Sequence, residues 1–115
     1  MNKFSLTAMQ RRHLDNARSA SSGRSAEAVY GGHEHVMRQT LIALAAGQEL
    51  AEHESPGEAT LQVLEGRLRL KSGSDSWDGV AGDLLIIPDA PHSVLAVTDT
   101  AVLLTTVVKS QGATY

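Results

Sequence analysis

The fold is decided by residues 82–94, which read GDLLIIPDAPHSV. A run of leucine and isoleucine is entered through Gly82-Asp83 and ends at a proline corner. Beyond the corner, His92 stands at the start of a second β-rich run. Because Gly, Asp and Pro punctuate the chain while Leu, Ile and Val favour extended structure, the stretch predicts two short strands joined by a tight corner.

Residues 47–66 show the same arrangement earlier in the chain, as GQELAEHESPGEATLQVLEG. Here His53 also stands close to a proline, between runs that favour strands. If the chain has a functional centre, the sequence therefore predicts it at His53 and His92.

The remainder of the chain predicts about seven to nine short strands, because β-forming runs recur between Gly and Pro residues. The alternation in RLRLK (67–71) indicates a strand with one buried face. Glu65-Gly66 and residues 98–100 are interpreted as hairpin turns. Strands and helices do not alternate, so the pattern favours a β-sandwich or barrel and excludes a doubly wound sheet.

Residues 6–20 predict the helix of the chain, with apolar side chains at three- and four-residue spacing. Thr7 and Gln10 fit a capping box at its start. A helix this short needs a surface to pack on. We expect it either to cover the outside of the sheet or to reach over a partner subunit.

Composition excludes several classes of function. At 115 residues the chain is expected to be one domain, and its net charge of −3 with dispersed Lys and Arg predicts neither nucleic acid nor membrane as a partner. The chain has no cysteine, so thiolate metal sites, disulfides and a thiol nucleophile are excluded. The N-terminal residues lack the apolar core of a secretory signal, and a cytoplasmic location is expected.

The two histidine stretches resemble the two motifs of the cupin family. In the first motif a glycine precedes two histidines, a glutamate and a second glycine. This chain matches it at Gly47, His53 and Gly66, with Ser55 at the second histidine and Ala59 at the glutamate.

The second motif is matched at Gly82, Pro88 and His92, one residue short and without its inner glycine. The resemblance implies an all-β, single-domain jelly-roll barrel with a short N-terminal helical arm, and a homodimer. The implied organisation is a helical arm and linker at 1–28, the barrel at 29–110 and a tail at 111–115.

Cupin metals usually take three histidines and one carboxylate, which suits Fe, Mn, Ni or Zn. The resemblance therefore implies a degenerate site, since only His53 and His92 of the four ligand positions are retained. It implies either no cofactor or, as the alternative, a divalent transition metal. His33 and His35 are two residues apart, so in a strand they share a face and offer a further ligand. Their face continues through Gln39, whereas the other face holds Arg38, and the sequence leaves open which one lines the barrel.

Two functions follow from these residues. The first is a small-molecule-binding or sensing cupin without catalysis, whose pocket contains His53, His92, Ser55 and Gln39. The second is a metal-dependent enzyme of the isomerase or dioxygenase type, using His53 and His92 with a ligand from His33 or His35. Whether the chain is an enzyme stays open at this point.

Overall fold

A computed structural model describes residues 2–32, 34–53 and 57–108, without the side chains of residues 52, 53 and 108. In this part of the chain, one helix precedes nine strands. The elements are α1 (Leu6–Ser19), β1 (Arg24–Tyr30), β2 (Met37–Leu44), β3 (Glu49–His53), β4 (Gly57–Glu65), β5 (Arg67–Ser72), β6 (Asp75–Val80), β7 (Leu84–Ile86), β8 (His92–Ala96) and β9 (Thr100–Val108).

The strands form two antiparallel sheets, one ordered β1-β2-β9-β4-β7 and the other β3-β8-β5-β6. In β5 the leucines Leu68 and Leu70 are buried, whereas Arg67 and Arg69, which alternate with them, are exposed, as the period of a strand requires. Both sheets contribute to one apolar core, in which a fully buried leucine contributes about 1.5–3 kcal/mol. The core contains Ala59, Leu61, Val63, Leu68, Leu70, Ile87, Val94 and Val102. The predicted all-β jelly-roll barrel is confirmed.

Two predicted hairpins are corners between the sheets instead. Strand β4 pairs with β7 and β9, whereas β5 pairs with β6 and β8, so Gly66 carries the chain from one sheet to the other. Residues 97–99 make the same crossing between β8 and β9. The two corners touch: a Cβ on Gly66 would lie 2.2 Å from the carbonyl oxygen of Asp99. Both hairpin predictions were wrong, because strand pairing is not a local property of the turn.

Helix α1 packs on the outer face of the five-stranded sheet of its own chain. Leu14 and Ala17 contact Ala43 of β2 and Ala101 of β9 in a second apolar cluster. Its N-cap is Ser5, which accepts from the amide of residue 8, so the cap lies two residues before the predicted Thr7. The expectation of a helix covering the sheet is confirmed. No helix in the described ranges is long and apolar enough to cross a membrane.

The sheet begins earlier than the sequence indicated. The boundary predicted after residue 28 falls inside β1, which pairs with β2 from Arg24 onward. The Ser-Gly linker is therefore limited to the residues between α1 and β1. The tail predicted at 111–115 lies outside the described residues.

Candidate functional site

The proline corner is held by hydrogen bonds from both sides. Before it, the amide of Ile87 donates to the carbonyl oxygen of Ala59 at 3.0 Å. After it, the hydroxyl of Ser72 donates to the carbonyl oxygen of Pro91 at 2.9 Å. These bonds join the corner to β4 and β5, so the start of β8 has a fixed position.

His92 is the first residue of β8 and is buried, with 3% of its surface exposed. It shares a face with Val94, which belongs to the barrel core. Its Nδ1–H donates to the carbonyl oxygen of Ala90 at 2.9 Å. Because a carbonyl only accepts, this bond places a proton on Nδ1 and puts the lone pair of the neutral ring on Nε2.

A bulge in β3 determines which of its residues pairs with His92. Leu50 pairs with Val94, yet the next partners are His53 and His92, so three steps along β3 match two along β8. A regular ladder would have put Glu52 opposite His92. Bulges of this kind change which residue a strand presents at a site. The backbone thus brings the two predicted positions together, although the side chain of His53 lies outside the described part.

The described residues do not fit the ligand set of a cupin metal. Ala59, at the glutamate position, presents a methyl group and is buried in the apolar core. Ser55, at the second histidine position, lies outside the described residues, as does His33. Among the residues that are described, no group of three or more His, Cys, Asp or Glu could hold a metal ion. Of the two retained histidines, the described part of the structure therefore shows one imidazole, that of His92.

His35 lies in the segment before β2 and is packed against β1. Its ring centroid is 4.9 Å from that of Tyr30, and its Nε2 is 3.7 Å from Oε1 of Glu34. Its side chain is 41% exposed. These contacts account for the ring without a metal, and its ligand role remains a hypothesis.

The packing of β2 shows which of its two faces lines the barrel, a question that the sequence left open. Ile42 packs against the barrel core, whereas Ala43 packs under α1. By alternation, Arg38 lies on the barrel side and Gln39 on the outer side. The amide of Gln39 donates to Oγ1 of Thr105 at 3.2 Å. Its predicted place in the pocket is therefore corrected: Arg38 takes the barrel side instead.

A cavity of about 280 Å³ opens beside Arg38. Arg38 is half-buried, and its Nε is buried without a hydrogen-bond partner among the residues that the structure describes. Leaving a buried N–H unpaired costs about 1–3 kcal/mol. The lining residues are Ala28, Tyr30, Gly31, Gly32, Arg38 and Thr40. The sequence left open whether Arg38 lines the barrel, and it gave no sign that the Gly-Gly loop closes one side of a cavity.

The sequence also gave no sign of a polar cluster under α1. His13 Nε2 donates to Oε1 of Glu27 at 2.8 Å, and its Nδ1 lies 2.6 Å from the hydroxyl of Ser25. Serine hydrolases bind the acid at Nδ1 and the serine at Nε2, which is the reverse of this arrangement. The cluster lies between helix and sheet, where it links the two, and Arg12 also pairs with Glu27.

Comparison with known proteins agrees with this geometry. No family model matches the sequence. No curated protein is similar enough to count as a relative. An RmlC-like cupin from Desulfovibrio desulfuricans is 32% identical, with 73% of this chain and 81% of that one covered and a TM-score of 0.64. The chain belongs to the cupin superfamily.

Two further structures are similar in fold. A conserved protein of unknown function from Streptococcus pyogenes is 23% identical over 79% of each chain, with a TM-score of 0.71. A salicylate 1,2-dioxygenase variant from Pseudoaminobacter salicylatoxidans, in complex with gentisate, is 20% identical with a TM-score of 0.72. The similarity covers 86% of this chain but 32% of the dioxygenase. At these identities the likeness concerns the fold.

Proposed function

We propose that the chain is a cytoplasmic, small-molecule-binding or sensing cupin with a degenerate barrel site and no catalytic step. The observation that carries this proposal is the environment of Ala59. Its methyl group stands where a cupin carboxylate ligand would stand, and apolar side chains surround it. A carboxylate at this position would be buried among apolar side chains, so the position suits an apolar side chain better than a metal ligand.

A metal-dependent enzyme of the isomerase or dioxygenase type is the second candidate. The register of β3 and β8 favours it, because residues directly opposite in an antiparallel pair have Cβ atoms about 4.5–5.5 Å apart. His53 and His92 would supply two ligands, and His33 or His35 a third. The likeness to a dioxygenase barrel supports the same class.

Metal content separates these two candidates. Protein purified without a histidine tag is expected to contain far less than one equivalent of Fe, Mn, Ni or Zn, and to stay so after incubation with each ion. Two imidazoles with water in the other positions would hold a divalent ion weakly. Plasma mass spectrometry measures the content directly. Near-stoichiometric metal that is lost in His53→Ala or His92→Ala would overturn the first proposal in favour of the second.

The protein is proposed to act as a homodimer through β7, the last strand of its sheet. Leu84 and Ile86 lie on its outer side and are 59% and 71% exposed. An edge strand with unpaired backbone groups and apolar side chains favours pairing with a second copy about a two-fold axis.

Sedimentation equilibrium at micromolar concentration should therefore give twice the chain mass. Ile86→Lys should shift the protein toward monomer, because the charge would be buried in the interface. Val36→Lys is the matched control, since Val36 is an exposed apolar residue in the segment before β2. A monomeric wild type, or an unchanged mass in Ile86→Lys, contradicts this interface.

A further inference from the structure

We infer that the cavity beside Arg38 binds a small carboxylate with an apolar body, and that the Arg38 guanidinium recognises the carboxylate. This inference rests on the proposed binding function and names the class of its ligand. It is carried by the charge of Arg38, by the loop that fixes its side chain and by the lining of the cavity.

The charge of Arg38 is uncompensated within the described part of the chain, where it forms no ion pair. The two arginines of β5, by contrast, pair with Asp78, and Nε of Arg69 donates to it at 2.9 Å. Nε of Arg38 is instead buried beside an open cavity, with no hydrogen-bond partner in the described ranges. A bound carboxylate would accept from Nε–H and a terminal N–H together, which is the fork geometry that guanidinium offers.

The loop at Gly31 holds the stem of Arg38 in place. With φ at +117°, a Cβ on Gly31 would lie 2.8 Å from Arg38 Cγ and 3.0 Å from its Cα. The backbone of the loop therefore passes directly over the arginine stem, and this approach requires glycine. A side chain fixed in this way loses less rotamer entropy when it binds a ligand.

The lining selects for an apolar body attached to the anion. Besides Arg38, the cavity is bordered by Ala28, Tyr30, two glycines and Thr40. Of these residues, Arg38 alone carries a charge. A volume of about 280 Å³ is slightly smaller than typical ligand pockets, which span about 300–1,000 Å³. A compact carboxylic acid fits both the volume and the single cation, whereas a phosphate would call for more donors.

Benzoate and benzamide are the probes, because they match in shape and differ in charge. In ¹⁵N-labelled full-length protein, benzoate should shift the Arg38 Nε–H signal and the amides of Gly31 and Gly32 saturably. The affinity for benzamide should be lower by at least about tenfold, as expected for the loss of a charge-assisted hydrogen bond. Arg38→Gln should weaken benzoate to a similar extent.

Arg11→Gln is the matched control: it makes the same change in net charge on the exposed side of α1, so benzoate binding should be unchanged. Arg38→Lys keeps the positive charge without the two parallel N–H donors of the guanidinium. Its affinity for benzoate should therefore lie between those of wild type and Arg38→Gln, with a spectrum otherwise like wild type. Equal binding of the two probes, or benzoate binding in Arg38→Gln equal to wild type, overturns the anion inference and leaves small-molecule binding standing. Absence of any shift with either probe overturns the inference outright. The proposed function is tested by a separate measurement, the metal content of the protein, so the two proposals can fail independently.

Discussion

Replacing Gly66 with alanine should lower the free energy of unfolding by about 2–5 kcal/mol. Gly66 has φ at +89°, a conformation that L side chains rarely adopt. Its added Cβ would lie 2.2 Å from the carbonyl oxygen of Asp99 and 2.9 Å from Cα of Thr100. Both neighbours are backbone atoms of the second corner, so relief would require the two corners to separate. Urea unfolding measures the loss.

Gly47→Ala is the matched control for this variant. Gly47 has φ at +88°, nearly that of Gly66, but a Cβ added to Gly47 would have no atom within 4 Å from the described residues beyond its chain neighbours. Alanine there carries the conformational cost without the collision, about 1–2 kcal/mol. The difference between the two variants isolates the contact between the corners. An equal loss in both would mean that the corners are not packed against each other as described.

Gly66 also shows how much of the fold the sequence could predict. Glycine between two β-rich runs correctly indicated a turn, and two motifs in the right order predicted the barrel. The local signal of a turn is the same whether the following strand returns beside the previous one or crosses to the other sheet. Pairing depends on β7, β8 and β9, which lie far along the chain, so the corner could not be distinguished from a hairpin.

The site was predictable to a similar extent. The positions His53 and His92 came from the sequence, but the bulge that pairs them is a property of backbone hydrogen bonds that no residue pattern reveals. The faces of β2 were not predictable, because both are apolar: Ile42 packs on the barrel core and Ala43 under α1. That second covering layer removes the polar alternation by which an outer face is recognised. Gln39 was therefore placed on the wrong side.

His13→Ala should lower the free energy of unfolding by about 2–4 kcal/mol. His13 is buried between α1 and β1, where one ring nitrogen donates to Glu27 and the other bonds with Ser25. Alanine removes both bonds and leaves a space under the helix. Thermal or urea unfolding followed by circular dichroism measures the change.

The acid side of the stability profile gives a second test of this cluster. The hydrogen bond from His13, and then Arg12, lower the pKa of Glu27 below its ordinary value. A carboxylate whose pKa is lowered by folding stabilises the protein fully above its unfolded pKa, about 4.3, and loses that contribution as the pH falls through the folded pKa. In Glu27→Gln the loss of stability below about pH 5 should therefore be shallower than in wild type. It should not vanish, because the pKa values of Asp78 and Asp99 are also lowered, by Arg69 and Arg18.

His35→Ala is the matched control for His13, since it removes an imidazole that is 41% exposed and should change stability by less than about 0.5 kcal/mol. If His13→Ala unfolded like His35→Ala, the apolar contacts of Leu14 and Ala17 alone would hold α1 on the sheet. The geometry argues against that outcome. Two strand residues, Ser25 and Glu27, turn polar groups toward the helix, and without the imidazole both would be left beside an apolar cluster with one partner fewer.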